Sequence, residues 1–147
     1  MVVPRKPERF EEVARLAPWT RRSEGGRGTG DLFLVDTMGE AEAATALADV
    51  VVVGRTFNGM GGSNPVPAAA LGKPTVLGPD HQNFAEMVRA LVDGGAALVS
   101  PEPWLAVERV LNDDALRRDM TQAGPRTVAN HAGATAKNVE VGRQQLR

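Results

Sequence analysis

Gly61-Gly62-Ser63-Asn64-Pro65-Val66-Pro67-Ala68-Ala69-Ala70-Leu71-Gly72-Lys73-Pro74 runs straight into Thr75-Val76-Leu77. The order is a glycine turn, a helix start and an entry into a buried strand. Paired glycines let the backbone approach a neighbour or a ligand closely, Ser63 or Asn64 offers a cap, and Pro65 suits a first helical turn, where an amide hydrogen has no intrahelical partner. Open amides at such a helix start, together with the helix dipole, favour an anion such as a nucleotide or sugar phosphate. A plain strand-to-helix turn carries the same local pattern.

Working outward, apolar β-branched runs alternate with helical patterns. Leu32-Phe33-Leu34-Val35, Val50-Val51-Val52-Val53, Thr75-Val76-Leu77 and Ala96-Ala97-Leu98-Val99 are apolar at nearly every position rather than every second one. Runs of that kind suit parallel strands covered by helices on both faces. Helices are expected over Pro7 to Leu16, Gly39 to Ala48, Pro65 to Leu71, Phe84 to Asp93, Pro103 to Leu111, Asp114 to Asn130 and Thr135 to Leu146. The predicted fold is therefore α/β, a Rossmann-like three-layer α/β/α sandwich around a parallel sheet. Ser23-Glu24-Gly25-Gly26-Arg27-Gly28-Thr29-Gly30 is too rich in glycine for an element and reads as a flexible loop, either a lid or a bare connector.

The chain has 147 residues, enough for one domain with a single core, and one domain over residues 1–147 is the expectation. A net charge of -1 gives no reason to expect nucleic acid as a partner. With no cysteine, disulfides and cysteine-ligated zinc are excluded, and His81 and His131 are the only imidazoles, so neither a metal site nor a cofactor is expected. No apolar run reaches the roughly 18 residues of a membrane span, and the start lacks a signal-peptide core, which points to the cytoplasm. Val2-Val3 resembles the tail of a strand running into Pro4-Arg5, as in a domain cut from something larger or a gene beginning at an interdomain linker.

Two further loop-to-helix junctions follow strands, at the end where open α/β sheets bind ligands. In Asp36-Thr37-Met38-Gly39-Glu40, Thr37 and Glu40 have capping-box spacing, which leaves the backbone of Met38 and Gly39 available to a ligand. In Gly78-Pro79-Asp80-His81-Gln82-Asn83-Phe84, Asn83 is a cap candidate with Glu86 three residues on, and His81 reads as a solvated loop residue. His131 reads as a residue near a helix end.

These junctions, in this order, carry a resemblance to a family. With Pro4-Arg5, Pro7-Glu8-Arg9-Phe10, Arg22-Ser23, Gly61-Gly62, Asn64-Pro65, Gly72-Lys73-Pro74, Gly78-Pro79 and Asn83-Phe84, the chain resembles the C-terminal domain of 3-deoxy-D-manno-octulosonic acid (Kdo) transferases. These are GT-B glycosyltransferases that add Kdo from CMP-Kdo to the lipid A precursor in lipopolysaccharide biosynthesis. The resemblance implies a donor-binding half of a two-domain enzyme. Arg5 would face the donor's negative charge, Met38 and Gly39 would lie by the nucleotide, Gly61, Gly62, Ser63 and Asn64 would line the phosphate and sugar, and Asn83 would stand near the donor. It further implies metal-independent inverting transfer, with the general base and the acceptor site on an N-terminal domain, through which family enzymes associate with the inner membrane.

Two positions depart from the family pattern. Ser63 stands where the family usually has histidine, and Pro67 stands at the glutamate of Asn-Pro-Leu-Glu-Pro-Ala. A carboxylate there accepts hydrogen bonds from the ribose hydroxyls in GT-B enzymes, whereas proline supplies neither charge nor side-chain acceptor. Losing such a bond costs about 1.5 to 3 kcal/mol, or about ten- to more than a hundred-fold in affinity. The alternative reading is a non-catalytic stand-alone module that binds another phosphate-bearing ligand or a protein partner and covers its apolar face by self-association or with that partner. An enzyme complete in itself ranks third, since no nucleophile, base and orienting group are identifiable together.

Overall fold

The computed structural model describes the backbone of residues 1–27 and 30–145, and of these the side chains up to residue 133. The chain divides into two units, Met1–Leu47 and Ala48–Arg147.

In the first unit a 3-10 turn over Pro7–Arg9 leads into α1 (Phe10–Ala14), followed by β1 (Thr20–Arg21), β2 (Phe33–Leu34) and α2 (Ala41–Leu47). β1 pairs in parallel with β2, and Val2 makes a parallel bridge to Leu34 from the other side, so β2 is central. Phe33, Val35 and Ala44 form the buried cluster, with Val3 packed against it. Val2-Val3 thus takes the strand role its composition suggested. β1 was not expected, because Thr20-Arg21 carries no apolar run. The expected flexible loop over residues 23–30 lies in part outside the described residues. Its first part is a turn, closed by the Gly25 amide donating to the Arg22 carbonyl at 3.1 Å and the Gly26 amide to the Arg21 carbonyl at 2.9 Å.

The second unit holds β3 (Val51–Val52), α3 (Val66–Ala70), β4 (Thr75–Leu77), α4 (Ala85–Asp93), β5 (Ala97–Val99), α5 (Pro103–Asn112) and α6 (Asp114–Gln145). The three strands form a parallel sheet in the order β3-β4-β5, with Val51 opposite Thr75 and Val76 opposite Leu98. All three residues of β4 are buried, as expected of a central strand that both neighbours cover. The core joins Val53, Ala69, Leu77, Val88, Leu91, Ala96, Ala97 and Ala123. Half of these residues lie on the apolar strand runs and half on the helices that cover them.

Two helical expectations change. The segments expected as separate helices, Asp114 to Asn130 and Thr135 to Leu146, belong to one helix that continues past His131 and Gly133, with Leu146 outside the described residues. α3 is shorter than expected, five residues starting at Val66, because Gly72 at φ +67° reverses the chain. There the Gly72 amide donates to the Ala69 carbonyl and the Lys73 amide to the Ala68 carbonyl, each at 3.0 Å, which satisfies the last carbonyls of the helix. Among the described residues no helix is long and apolar enough to cross a membrane.

Candidate functional site

In the second unit the loops after β3 and β4 are stitched together at the carboxyl end of the sheet, around one buried hydroxyl. Thr56 Oγ1 donates to the Val53 carbonyl at 2.7 Å and accepts from the Gly78 amide at 2.8 Å, and the Asp80 amide donates to the Thr56 carbonyl at 2.9 Å. The Gly59 amide in turn donates to the Asp80 carboxylate. Gly78 has to be glycine, since a Cβ there would run into the Thr56 carbonyl and the Phe57 ring.

The paired glycines sit inside this framework. Gly61 and Gly62 adopt φ of +78° and +89°, which side chains rarely tolerate. The Asn83 amide donates to the Gly61 carbonyl at 3.1 Å, and a Cβ on Gly61 would meet the Asn83 side chain. The structure therefore brings Gly61, Gly62 and Asn83 together. It also corrects the role expected of Asn83: α4 starts without a side-chain cap, and Asn83 stands against the glycine turn instead. Asn64 does act at the start of α3, its Oδ1 accepting from the Val66 amide at 3.0 Å. Ser63 is half-buried between them.

The expectation of open amides at this helix start is narrowed. The Gly62 amide is taken by the Arg55 carbonyl at 2.9 Å and the Val66 amide by Asn64, and a five-residue helix has little dipole to offer. What the loop offers instead is a cation. Arg55 is exposed, holds φ at +63°, and spans the loop with its Nη2 3.4 Å from the Met60 carbonyl. Nothing in Gly54-Arg55-Thr56 marks this in advance except the glycine that ends the strand. His81 is not merely solvated, because its Nδ1 lies 2.9 Å from the Gly78 carbonyl.

In the first unit the carboxyl ends of β1 and β2 carry two charge clusters. Asp36 is buried. It accepts from the Ser23 amide at 2.9 Å, the Ser23 hydroxyl at 2.6 Å and Arg21 Nε at 2.7 Å. Burial pushes its carboxyl up, but those hydrogen bonds outweigh burial and hold it at about 2. Arg21 also pairs with Glu11 at 2.5 Å, and its guanidinium is held above its ordinary value. Arg22 pairs with Glu40 at 2.9 Å, and Glu40 also accepts from the Thr37 hydroxyl; the two bonds lower its carboxyl. This replaces the expected capping box, in which Glu40 would have met a backbone amide. Met38 and Gly39 form the exposed tip of the turn, with Gly39 at φ +82° and open space around its Cα. Arg5 is exposed, and among the described residues no hydrogen bond joins it to that tip.

Parallel strands with glycine-bearing loops at their carboxyl ends define a Rossmann-like α/β domain. No protein-family model matches the chain. It is 36% identical to the 3-deoxy-D-manno-octulosonic acid transferase of Bordetella pertussis, over 95% of this chain and 35% of the relative. To the enzyme of that name from Haemophilus influenzae it is 31% identical, over 96% of this chain and 36% of the relative. The crystal structure of the C-terminal CMP-Kdo binding domain of WaaA from Acinetobacter baumannii superposes with a TM-score of 0.75 at 28% identity, covering 86% of this chain and 72% of that one. The chain is homologous to the 3-deoxy-D-manno-octulosonic acid transferases, and the part of that family it represents is the C-terminal domain, half of a GT-B fold. It spans about a third of the length of the curated relatives it matches.

Proposed function

We propose that this chain is the donor-binding half of a Kdo transferase in lipopolysaccharide biosynthesis, taking CMP-Kdo and acting with an N-terminal domain that carries the acceptor site and the general base. The observation that carries this reading is the superposition on a CMP-Kdo binding domain over most of the chain. Gly61, Gly62 and Asn83 form a close-approach surface for the donor, with Ser63 and Asn64 beside it. Arg55 supplies positive charge in the second unit, and Arg5, Met38 and Gly39 are the residues of the first unit that the family resemblance assigns to the donor. The transfer needs no metal or cofactor, and the domain works in the cytoplasm.

A second reading, a module for another phosphate-bearing ligand, is favoured by one observation: the first turn of α3 holds no acidic residue. Titrating CMP into the chain, with UMP and UDP as controls, separates the two. Selective shifts of the Gly39, Gly62 and Asn64 amides are expected with CMP. Pro67→Glu is expected to tighten CMP by about tenfold or more, since it restores an acceptor on an exposed position of the first turn. If neither the parent chain nor Pro67→Glu responds to millimolar CMP, the donor role is lost and the second reading takes its place.

A further inference from the structure

At the amino-terminal end of the β3-β4-β5 sheet, opposite the loops described above, the second unit holds a cavity of about 300 Å³. Asp49 and Pro74, just ahead of β3 and β4, form one side of it, and Lys73, Arg117, Arg118 and Thr121 form much of the rest. Three of the lining side chains are cations and one, Asp49, is a carboxylate.

The backbone explains why the cations converge. The Gly72 turn lies so close to α6 that a Cβ on Gly72 would sit 3.0 Å from the Thr121 carbonyl. That carbonyl has no helical amide to receive, because Pro125 stands where the donor would be. Lys73 follows this turn directly, and Arg117 and Arg118 lie one helical turn before Thr121 on the same face. Arg117 is fixed by the Leu111 carbonyl at 3.1 Å and by Asp114 at 2.5 Å. Among the described residues, no carboxylate lies within ion-pair distance of Lys73 or Arg118.

Contacts within the unit account for Arg117 but give Lys73 and Arg118 no anionic partner among the described residues. Lys73 is half-buried and Arg118 is exposed at the mouth, while Arg117 is already paired with Asp114. An anion in the cavity supplies the missing partner of Lys73 and Arg118. We propose that this cavity binds the phosphate group of a phosphate ester, as a site separate from the donor loops. Lys73 and Arg118 pair with the phosphate, the Thr121 hydroxyl and the Gln122 amide donate to it, and Arg117 supplies a fixed charge. Asp49 on the wall opposes binding.

The test titrates the whole chain with inorganic pyrophosphate, followed by amide shifts, and sediments it with phosphatidylcholine vesicles with and without phosphatidic acid. Saturable shifts at Gly72, Lys73, Arg118 and Thr121 are expected, with Gly61, Gly62 and Asn83 unmoved. Lys73→Gln combined with Arg118→Gln should weaken binding about tenfold or more, and Asp49→Asn should tighten it. Pyrophosphate shifts without vesicle retention assign a soluble phosphate. Retention that needs phosphatidic acid and is lost in the double variant, without pyrophosphate shifts, assigns a lipid headgroup. No response in either arm, or a response that the double variant leaves unchanged, overturns the site. Because the readout residues differ from those of the CMP titration, failure here and failure of the donor role are distinguishable.

Discussion

At the scale of single residues, Thr56 sets the geometry of the second unit's loops more than any group the sequence singled out. It is fully buried and joins the end of β3 to the start of the loop after β4 through one donated and one accepted hydrogen bond. Thr56→Val keeps the shape and removes both bonds, which leaves the Gly78 amide and the Val53 carbonyl without that partner. A loss of about 1 to 3 kcal/mol in unfolding free energy is expected by urea titration, while Thr56→Ser, which retains the hydroxyl, should lose markedly less. Equal losses in the two variants would place the effect in packing rather than in the hydroxyl. The glycine turn was legible because glycine has a narrow range of uses, whereas Asn83 was read as a helix cap and stands instead against that turn. Thr56 and Arg55 were not legible: a threonine after a strand has many ordinary roles, and a left-handed arginine has no composition signal at all.

At the scale of elements, the strand runs were legible because both faces of β4 are covered, which requires apolar residues at every position rather than at alternate ones. β1 escaped because it is two half-buried residues, of which Arg21 serves Asp36 and Glu11 rather than a core. The long α6 was read as two pieces because Gly133 looks like a helix end, yet a Cβ there would meet nothing within 4 Å, so the residue neither terminates the helix nor packs against a neighbour. Gly124 is the opposite case. A Cβ at that position would run into the Ala69 carbonyl, so the residue is small in order to let α3 approach α6. Alanine is a better helix former than glycine by about 0.8 to 1 kcal/mol, and the two positions should therefore respond with opposite sign. Gly133→Ala is expected to raise the melting temperature slightly. Gly124→Ala should lower it, because the clash is with backbone and cannot be relieved by a rotamer change. Thermal unfolding followed by circular dichroism decides this, and a rise in both variants would show that α3 does not depend on the close approach.

At the scale of the whole molecule, the two units differ in what holds them. The second has a continuous apolar core, whereas the first has a small cluster and relies on charge at the ends of its strands. That difference makes the first unit the acid-sensitive one. Asp36 has an ordinary value of 3.8 when unfolded and about 2 when folded, so the unfolded state binds its proton first as the pH falls. The stability it contributes, about 2 kcal/mol, is fully present above the unfolded value and is lost as the pH drops from about 4 to about 2. Glu11 and Glu40, both lowered by hydrogen bonds from their arginine partners, act in the same direction. The chain has two tryptophans, which allow a direct reading. Trp19 belongs to the first unit, with its indole N–H donating to the Val13 carbonyl at 2.9 Å, while Trp104 is exposed in the second and can be replaced by phenylalanine. In a Trp104→Phe background, the urea midpoint reported by Trp19 should fall steeply through that pH window. Adding Asp36→Asn should lower the midpoint at neutral pH and flatten the fall by the slope of one proton, and an unchanged slope would mean that Asp36 is not the group whose protonation loosens the unit.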